Sequence, residues 1–217
     1  GRKVVMSVTG VALILFLTFH MSMNIAALFS GEAYNMICEF LGANWYALVA
    51  TLGLAALAVI HIIYAFWLTM QNRKARGNER YAVTTRPAGV EWSSQNMLVL
   101  GIIIILGLLL HLFNFWYNMM FAELTGITVA HDPADGYAYI VDTFACPVYV
   151  VLYIVWIVAL WFHLTHGFWS AMQTFGWSGK TWFCRWKVIG IAYSTLLCLG
   201  FLVVVLWFAA KGLCGCC

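Results

Sequence analysis

Residues 4–31 read VVMSVTGVALILFLTFHMSMNIAALFSG, a run with no charged side chain. About 20 apolar residues of helix cross the hydrocarbon core of a bilayer, so this run is long enough to span and to tilt. Working outward, four further stretches are equally free of charge: Phe40 to Asn72, Trp92 to Ala122, Thr143 to Gly179 and Val188 to Ala210. Across the 217 residues, 64% are hydrophobic and 9% charged, with a mean hydropathy of +0.90. A soluble domain carries roughly a quarter charged residues, and a water-soluble fold could not hide this much apolar surface.

Backbone polar groups in lipid must be satisfied internally. The apolar runs are continuous and lack the short alternating pattern of barrel strands, so helices are favoured. The expected fold class is all-α: one integral membrane bundle of five transmembrane helices at about 4–30, 43–72, 93–122, 144–174 and 186–210, making residues 1–217 a single domain. The connections are short except Gln71 to Ser94 and Glu123 to Asp142, and neither is long enough for a catalytic domain. The first run is too long for a secretory signal peptide and lacks a small-residue cleavage site, so it is expected to persist as the first span.

If the helices alternate in direction, ten of the eleven basic residues share one side. These are Arg2 and Lys3, then Arg73, Lys74, Arg76, Arg80 and Arg86, then Lys180, Arg185 and Lys187; Lys211 alone lies opposite. Six of the eight acids (Glu32, Glu39, Glu123, Asp132, Asp135, Asp142) fall in the other connections. By the positive-inside rule the N-terminus is expected inside and the C-terminus outside. The inner segment Gly176 to Trp186, GWSGKTWFCRW, mixes indoles with cations, and reads either as an interfacial aromatic belt or as a docking surface for a soluble partner.

Ionisable groups within a span are costly and mark function. Four spans carry histidine: His20, His61, His111, and His163 with His166; the fifth has none. One such imidazole reads equally well as a hydrogen-bonded packing residue, but four helices doing this together do not. Two imidazoles facing one iron must come from different helices at one level. His20 precedes Glu32, and His111 precedes Glu123, by twelve residues, which is about 18 Å of helix. His61 precedes Arg73 by twelve and His163 precedes Gly176 by thirteen, about 18 to 20 Å from the inner flank. The heights pair His20 with His111 on the outer side and His61 with His163 on the inner side.

No intramembrane carboxylate or second cysteine stands beside these histidines to complete a zinc cluster, so two bis-imidazole b haems are the better match. The seven cysteines include no CxxCH attachment motif, so haem would be held by coordination alone. His166 lies one helical step from His163 on nearly the same face, and spacing alone leaves either as the ligand. His131, in the outer connection, reads as a solvated loop residue. Cys38, Cys146 and the tail cysteines Cys214, Cys216 and Cys217 fall on the outer side, where a disulfide is permitted.

The segments SVTGVALILFLTFHMSMN (7–24), HIIYAFWLTMQNRKAR (61–76), a lone histidine in the third span and FHLTHGFWSAMQTFG (162–176) together resemble the cytochrome b subunit of the succinate:quinone oxidoreductase family, in its five-helix, two-haem form. The family includes quinol:fumarate reductases and menaquinone-linked succinate dehydrogenases. The resemblance covers nearly the whole chain, and the four-histidine layout is its specific part. It implies that the fourth-span ligand is the histidine four residues before the glycine of an HxxxG segment, which selects His163 with Gly167 and leaves His166 beside it.

The resemblance further implies two haem b groups and menaquinone or menaquinol as substrate. It implies an iron-sulfur subunit and a flavoprotein subunit on the inner face, lipid around the bundle, no nucleic acid, and the bacterial cytoplasmic (inner) membrane as location. The chain would carry electrons between quinone and the subunits that interconvert fumarate and succinate. A carboxylate near the quinone oxygen suits the accompanying proton transfer, and Glu39 and Glu32 are the candidates, though both read equally well as interface-flanking acids. Some members carry a glutamate two residues before the fourth-span ligand, associated with transmembrane proton movement; this chain has Trp161 there, so no such path is expected. The rival readings are a cytochrome b of another dehydrogenase (hydrogenase, formate or nitrate type) and a haem-free transport or structural bundle.

Overall fold

A computed structural model describes residues 1–76 and 91–214. In chain order these form α1 (Arg2–Phe29), α2 (Gly31–Phe40), α3 (Trp45–Arg76), the single turn α4 (Trp92–Gln95), α5 (Met97–His111), a π-helix (Leu112–Phe121), α6 (Ala122–Thr125), α7 (Gly136–Ala145), α8 (Pro147–Thr174) and α9 (Lys180–Cys214). Five helices are long and apolar enough to cross a membrane: Arg2–Phe29, Trp45–Ala75, Met97–Thr125, Pro147–Thr174 and Lys180–Gly212. No strand occurs among the described residues. Arg80, Arg86, Cys216 and Cys217 lie outside them.

Contacts between helix ends fix the alternation. The Arg2 guanidinium lies 4.7 Å over the Trp67 ring, which sets the start of α1 beside the end of α3. Glu91 bonds Lys187 at 2.8 Å, joining the approach to α5 with the start of α9. At the opposite end Lys211 donates to the Tyr137 hydroxyl at 3.3 Å. One end of the bundle is therefore basic, and the other is covered by the two short helices α2 and α7.

These two helices are the main departure from the expected boundaries, which treat residues 31–42 and 123–142 as connections. Ser30 caps α2 by accepting from the Ala33 amide at 3.2 Å, and Asp135 caps α7 by accepting from Ala138 at 3.1 Å. Side-chain N-caps of this kind start helices that hydropathy alone does not show. Asn35 locks the pair, donating to Asp135 at 2.7 Å while accepting the Tyr137 amide at 2.9 Å. The fourth span begins at Pro147, not 144, because proline disfavours helical geometry in the residue before it; Cys146 is extended, at φ −87° and ψ 114°.

The fifth span begins at Lys180, six residues before the apolar run suggests. The Gly179 carbonyl accepts from the amides of Trp182 and Phe183, each at 2.9 Å, and Lys, Arg and Trp can extend a helix past the hydrocarbon by placing their polar tips outward. The helical part of the segment read as an inner connection is thus the first turns of α9. Before it, α8 is stopped just short of Gly176, whose φ of +80° favours a residue without a Cβ. Trp177 N–H reaches Met172 O at 3.0 Å and Gly176 N–H reaches Gln173 O at 3.1 Å, the paired bonds of a Schellman stop.

The core lies where α8 and α9 pack along their length with α1 against them, around Ile157, Leu164, Leu197, Val205 and Phe208. Phe208 is 1% exposed. α3 packs chiefly on α1. Close approach of α5 and α8 depends on Gly107, because the Trp156 indole occupies the place a Cβ would take there and donates to the Ile104 carbonyl at 3.1 Å. Gly107→Ala is expected to displace this indole and destabilise the fold by about 1–3 kcal/mol, the usual cost of overpacking. A lowered thermal midpoint in detergent checks this; an unchanged midpoint would mean the indole moves aside freely.

Candidate cofactor and quinone sites

The five spans bring four histidines together in two pairs. His20 on α1 and His111 at the end of α5 have ring centroids 5.7 Å apart and nearly perpendicular planes, at 85°. His61 on α3 and His163 on α8 have centroids 6.3 Å apart with planes at 64°. An imidazole nitrogen binds a metal at about 2 Å, so two rings on opposite sides of one iron have centroids roughly 6 Å apart. Both pairs meet that distance.

The surroundings bear on whether haem fits. Neither α1 with α5 nor α3 with α8 is among the helix pairs that pack closely along their backbones. Each histidine pair therefore joins helices that are not immediate neighbours. No group of three or more His, Cys, Asp or Glu side chains suited to a metal ion occurs among the described residues. Nδ1 of both His111 and His163 is buried without a hydrogen-bond partner.

The His20–His111 pair is lined by aromatics. Phe16 stacks on His20 at 5.4 Å and Phe201 lies 6.0 Å from it, while Phe115 and Trp156 lie 5.1 and 5.6 Å from His111. Asn24, one helical turn beyond His20, donates to the His20 carbonyl at 2.8 Å and to its Nε2 at 3.4 Å. The second contact is at the far edge of hydrogen-bond length, and a metal at that nitrogen would replace it. Asn24 also accepts from the Tyr34 hydroxyl at 3.2 Å, tying the His20–His111 pair to α2. At the His61–His163 pair, Thr9 Oγ1 lies 3.1 Å from His61 Nδ1.

His166 turns to a different neighbourhood from His163. Its ring meets Trp169 edge-on at 5.1 Å, and its Nδ1 lies 3.5 Å from Glu91 Oε2, close enough for charge attraction but not aligned for a hydrogen bond. Glu91 also accepts from Trp169 Nε1 at 3.2 Å and pairs with Lys187, whose ammonium sits 4.7 Å over the Trp169 ring. Partial burial raises the Glu91 carboxyl, but Lys187, with help from His166 and Trp169, outweighs it and holds the group below the usual carboxylate range. A carboxylate so depressed stabilises the fold above its unfolded value, and the benefit is lost as pH falls through the folded one. Glu91→Gln is therefore expected to lower the thermal midpoint at neutral pH and to match the wild type in acid below the folded value. A gap between the two that persists in acid would show that the charge is not the cause.

At the capped end, Met36, Glu39, Phe40, Asn44, Tyr46 and Glu123 line an open cleft. Glu39 is in the last turn of α2 and Glu32 in its first, so of the two candidate acids only Glu39 lines it. Glu123, read from sequence only as a flanking acid, is the second carboxylate there. Its Oε2 accepts the Ala43 amide at 3.1 Å, in a turn where a Cβ on Gly42 would stand 2.9 Å from the same oxygen. Its shared height with Glu32 was the available signal; the fold of the turn onto it was not visible.

Of the remaining sequence candidates, His131 meets Asp142 at 2.5 Å and stacks edge-on with Tyr139 within the cap. Cys38 and Cys146 are free thiols; Cys38 sits against Gly136 and Tyr34, and burial pushes its thiol up to about 11, with Tyr34 and Gly136 opposing. Trp161, at the position of the absent glutamate, donates to Thr195 Oγ1 at 3.0 Å. Comparison with models of known protein families, with curated proteins and with solved structures finds no match to this chain. The fold and site together define a five-span helical membrane bundle with two intramembrane histidine pairs.

Proposed function

We propose that this chain is a dihaem cytochrome b that anchors a succinate:quinone oxidoreductase or quinol:fumarate reductase in the bacterial cytoplasmic membrane and exchanges electrons with menaquinone. The observation that carries the reading is the pair of ring separations, 5.7 and 6.3 Å, across helices that do not otherwise pack closely. The assignment to the dicarboxylate family rests on the sequence resemblance, whose specific part is the four-histidine layout, with the SVTG-to-His20 run and the His163 to Gly167 segment favouring it over other cytochrome b anchors.

In this reading His20 and His111 would hold one haem, and His61 and His163 the other. When bound, the two b haems supply a one-electron relay across the bundle. The aromatic rings around His20 and His111 keep water from the outer pair. The cleft at the capped end takes the quinone head, with Phe40 and Tyr46 flanking it. Glu39 accepts the proton released from a hydroquinone oxygen, and Glu123 anchors the turn that shapes the cleft. The basic end faces the cytoplasm under the positive-inside rule and meets the iron-sulfur subunit, which docks on the flavoprotein.

Reduced-minus-oxidised visible spectra and a pyridine haemochrome count on the purified chain test the proposal. Two b haems per chain are expected, and a colourless protein would refute it. Co-purification of a flavin-bearing subunit with fumarate-dependent turnover separates this family from other cytochrome b anchors.

A further inference from the structure

We propose that Thr9 is a positioning residue for His61: its hydroxyl accepts a hydrogen bond from the imidazole, fixes which ring nitrogen is free, and sets the inner haem's potential apart from the outer one's. The proposal rests on the dihaem reading. Thr9 is 4% exposed in the middle of the SVTG segment, and its Oγ1 has three neighbours. Two are backbone carbonyls of its own helix, Val5 O at 2.9 Å and Met6 O at 3.1 Å; the third is His61 Nδ1 at 3.1 Å.

A hydroxyl has one proton to give, and the carbonyls can only accept it. With that proton committed to the helix, the oxygen faces His61 as an acceptor. Nδ1 must then carry hydrogen, which leaves the Nε2 lone pair available for a metal. Gly10 completes the seat, since a Cβ there would lie 3.3 Å from His61 Cε1. The two consecutive residues Thr9 and Gly10 therefore set both the rotation and the approach of the ring.

No other histidine of the two pairs is held this way. Nδ1 of His111 and of His163 is buried without a partner, and His20 meets Asn24 through Nε2. An imidazole that donates from its far nitrogen is a more basic ligand; a more basic ligand favours ferric iron and lowers the potential. Second-shell hydrogen bonding is one of the levers that sets haem potentials, and this one acts on the inner site only.

The test compares wild type with Thr9→Val, which keeps the shape and removes the hydroxyl, and Thr9→Ser, which keeps the hydroxyl. The readouts are haem count, spectroelectrochemical redox titration and low-temperature electron paramagnetic resonance of the oxidised protein. In Thr9→Val, one of two midpoint potentials is expected to move to a more positive value and one of two low-spin signals to shift, while Thr9→Ser matches the wild type. Loss of a single haem in Thr9→Val with both retained in Thr9→Ser supports the same role. Two haems with unchanged potentials and signals in Thr9→Val, or equal changes in both variants, overturn the proposal and leave the cytochrome reading standing. A wild-type chain without haem overturns both.

Discussion

His163→Ala is expected to leave one of the two proposed b haems, and His166→Ala to leave both. The two residues are one helical step apart, yet their rings do different things. His163 faces His61 at 6.3 Å, whereas His166 is occupied at the basic end with Trp169 and Glu91. Truncating His163 would remove one of the two proposed ligands of that haem, while truncating His166 removes a neighbour of a surface carboxylate. A haemochrome count decides between them. Two haems kept in His163→Ala with one lost in His166→Ala would reverse the assignment and move the inner site toward the basic end. By the same logic His20→Ala or His111→Ala is expected to cost the other haem, with His61→Ala equivalent to His163→Ala.

Glu39→Gln is expected to slow quinol-dependent turnover of the assembled complex by about 10²- to 10⁴-fold, the range a positioned proton acceptor contributes, with haem content unchanged. Glu32→Gln is expected to leave turnover near wild type, because Glu32 is exposed in the first turn of α2 and does not line the cleft. The amide keeps Glu39's shape and removes its basicity, so an intact haem count separates lost chemistry from lost fold. Equal turnover in Glu39→Gln and wild type would place the quinone elsewhere on the bundle.

The five spans were legible in the sequence because lipid imposes a length and a polarity that no soluble context does, and uncharged runs such as 4–31 carry both. The grouping of His20 with His111 and of His61 with His163 was also legible in residue counts to flanking charges, which measure height along an α-helix, although the twelve residues from His111 to Glu123 cross the π-helix and rise less than an α-helix would. Three things were not. The cap helices α2 and α7 are short, amphipathic and started by Ser30 and Asp135, signals that a search for apolar runs passes over. The separate roles of His163 and His166 depend on Glu91 and Lys187, which come from distant parts of the chain. Glu123 could be placed at the right height, but its approach to the Ala43 amide depends on a turn at Gly42 that spacing does not specify.

The π-helix from Leu112 to Phe121 alters what counting means beyond His111. Bonds from i to i+5 take up roughly one more residue per turn than the 3.6 of an α-helix, so ten residues of it absorb about two extra. The span therefore behaves like a screw whose thread changes pitch midway. The azimuth of Glu123 at the membrane edge is decoupled from that of His111, and each can meet its own partner without compromise. An inserted or deleted residue in this segment can be taken up as a change between the two pitches, whereas the same edit between Met97 and His111 would rotate the imidazole away from His20. Length variation in this span should accordingly gather after the histidine and not before it.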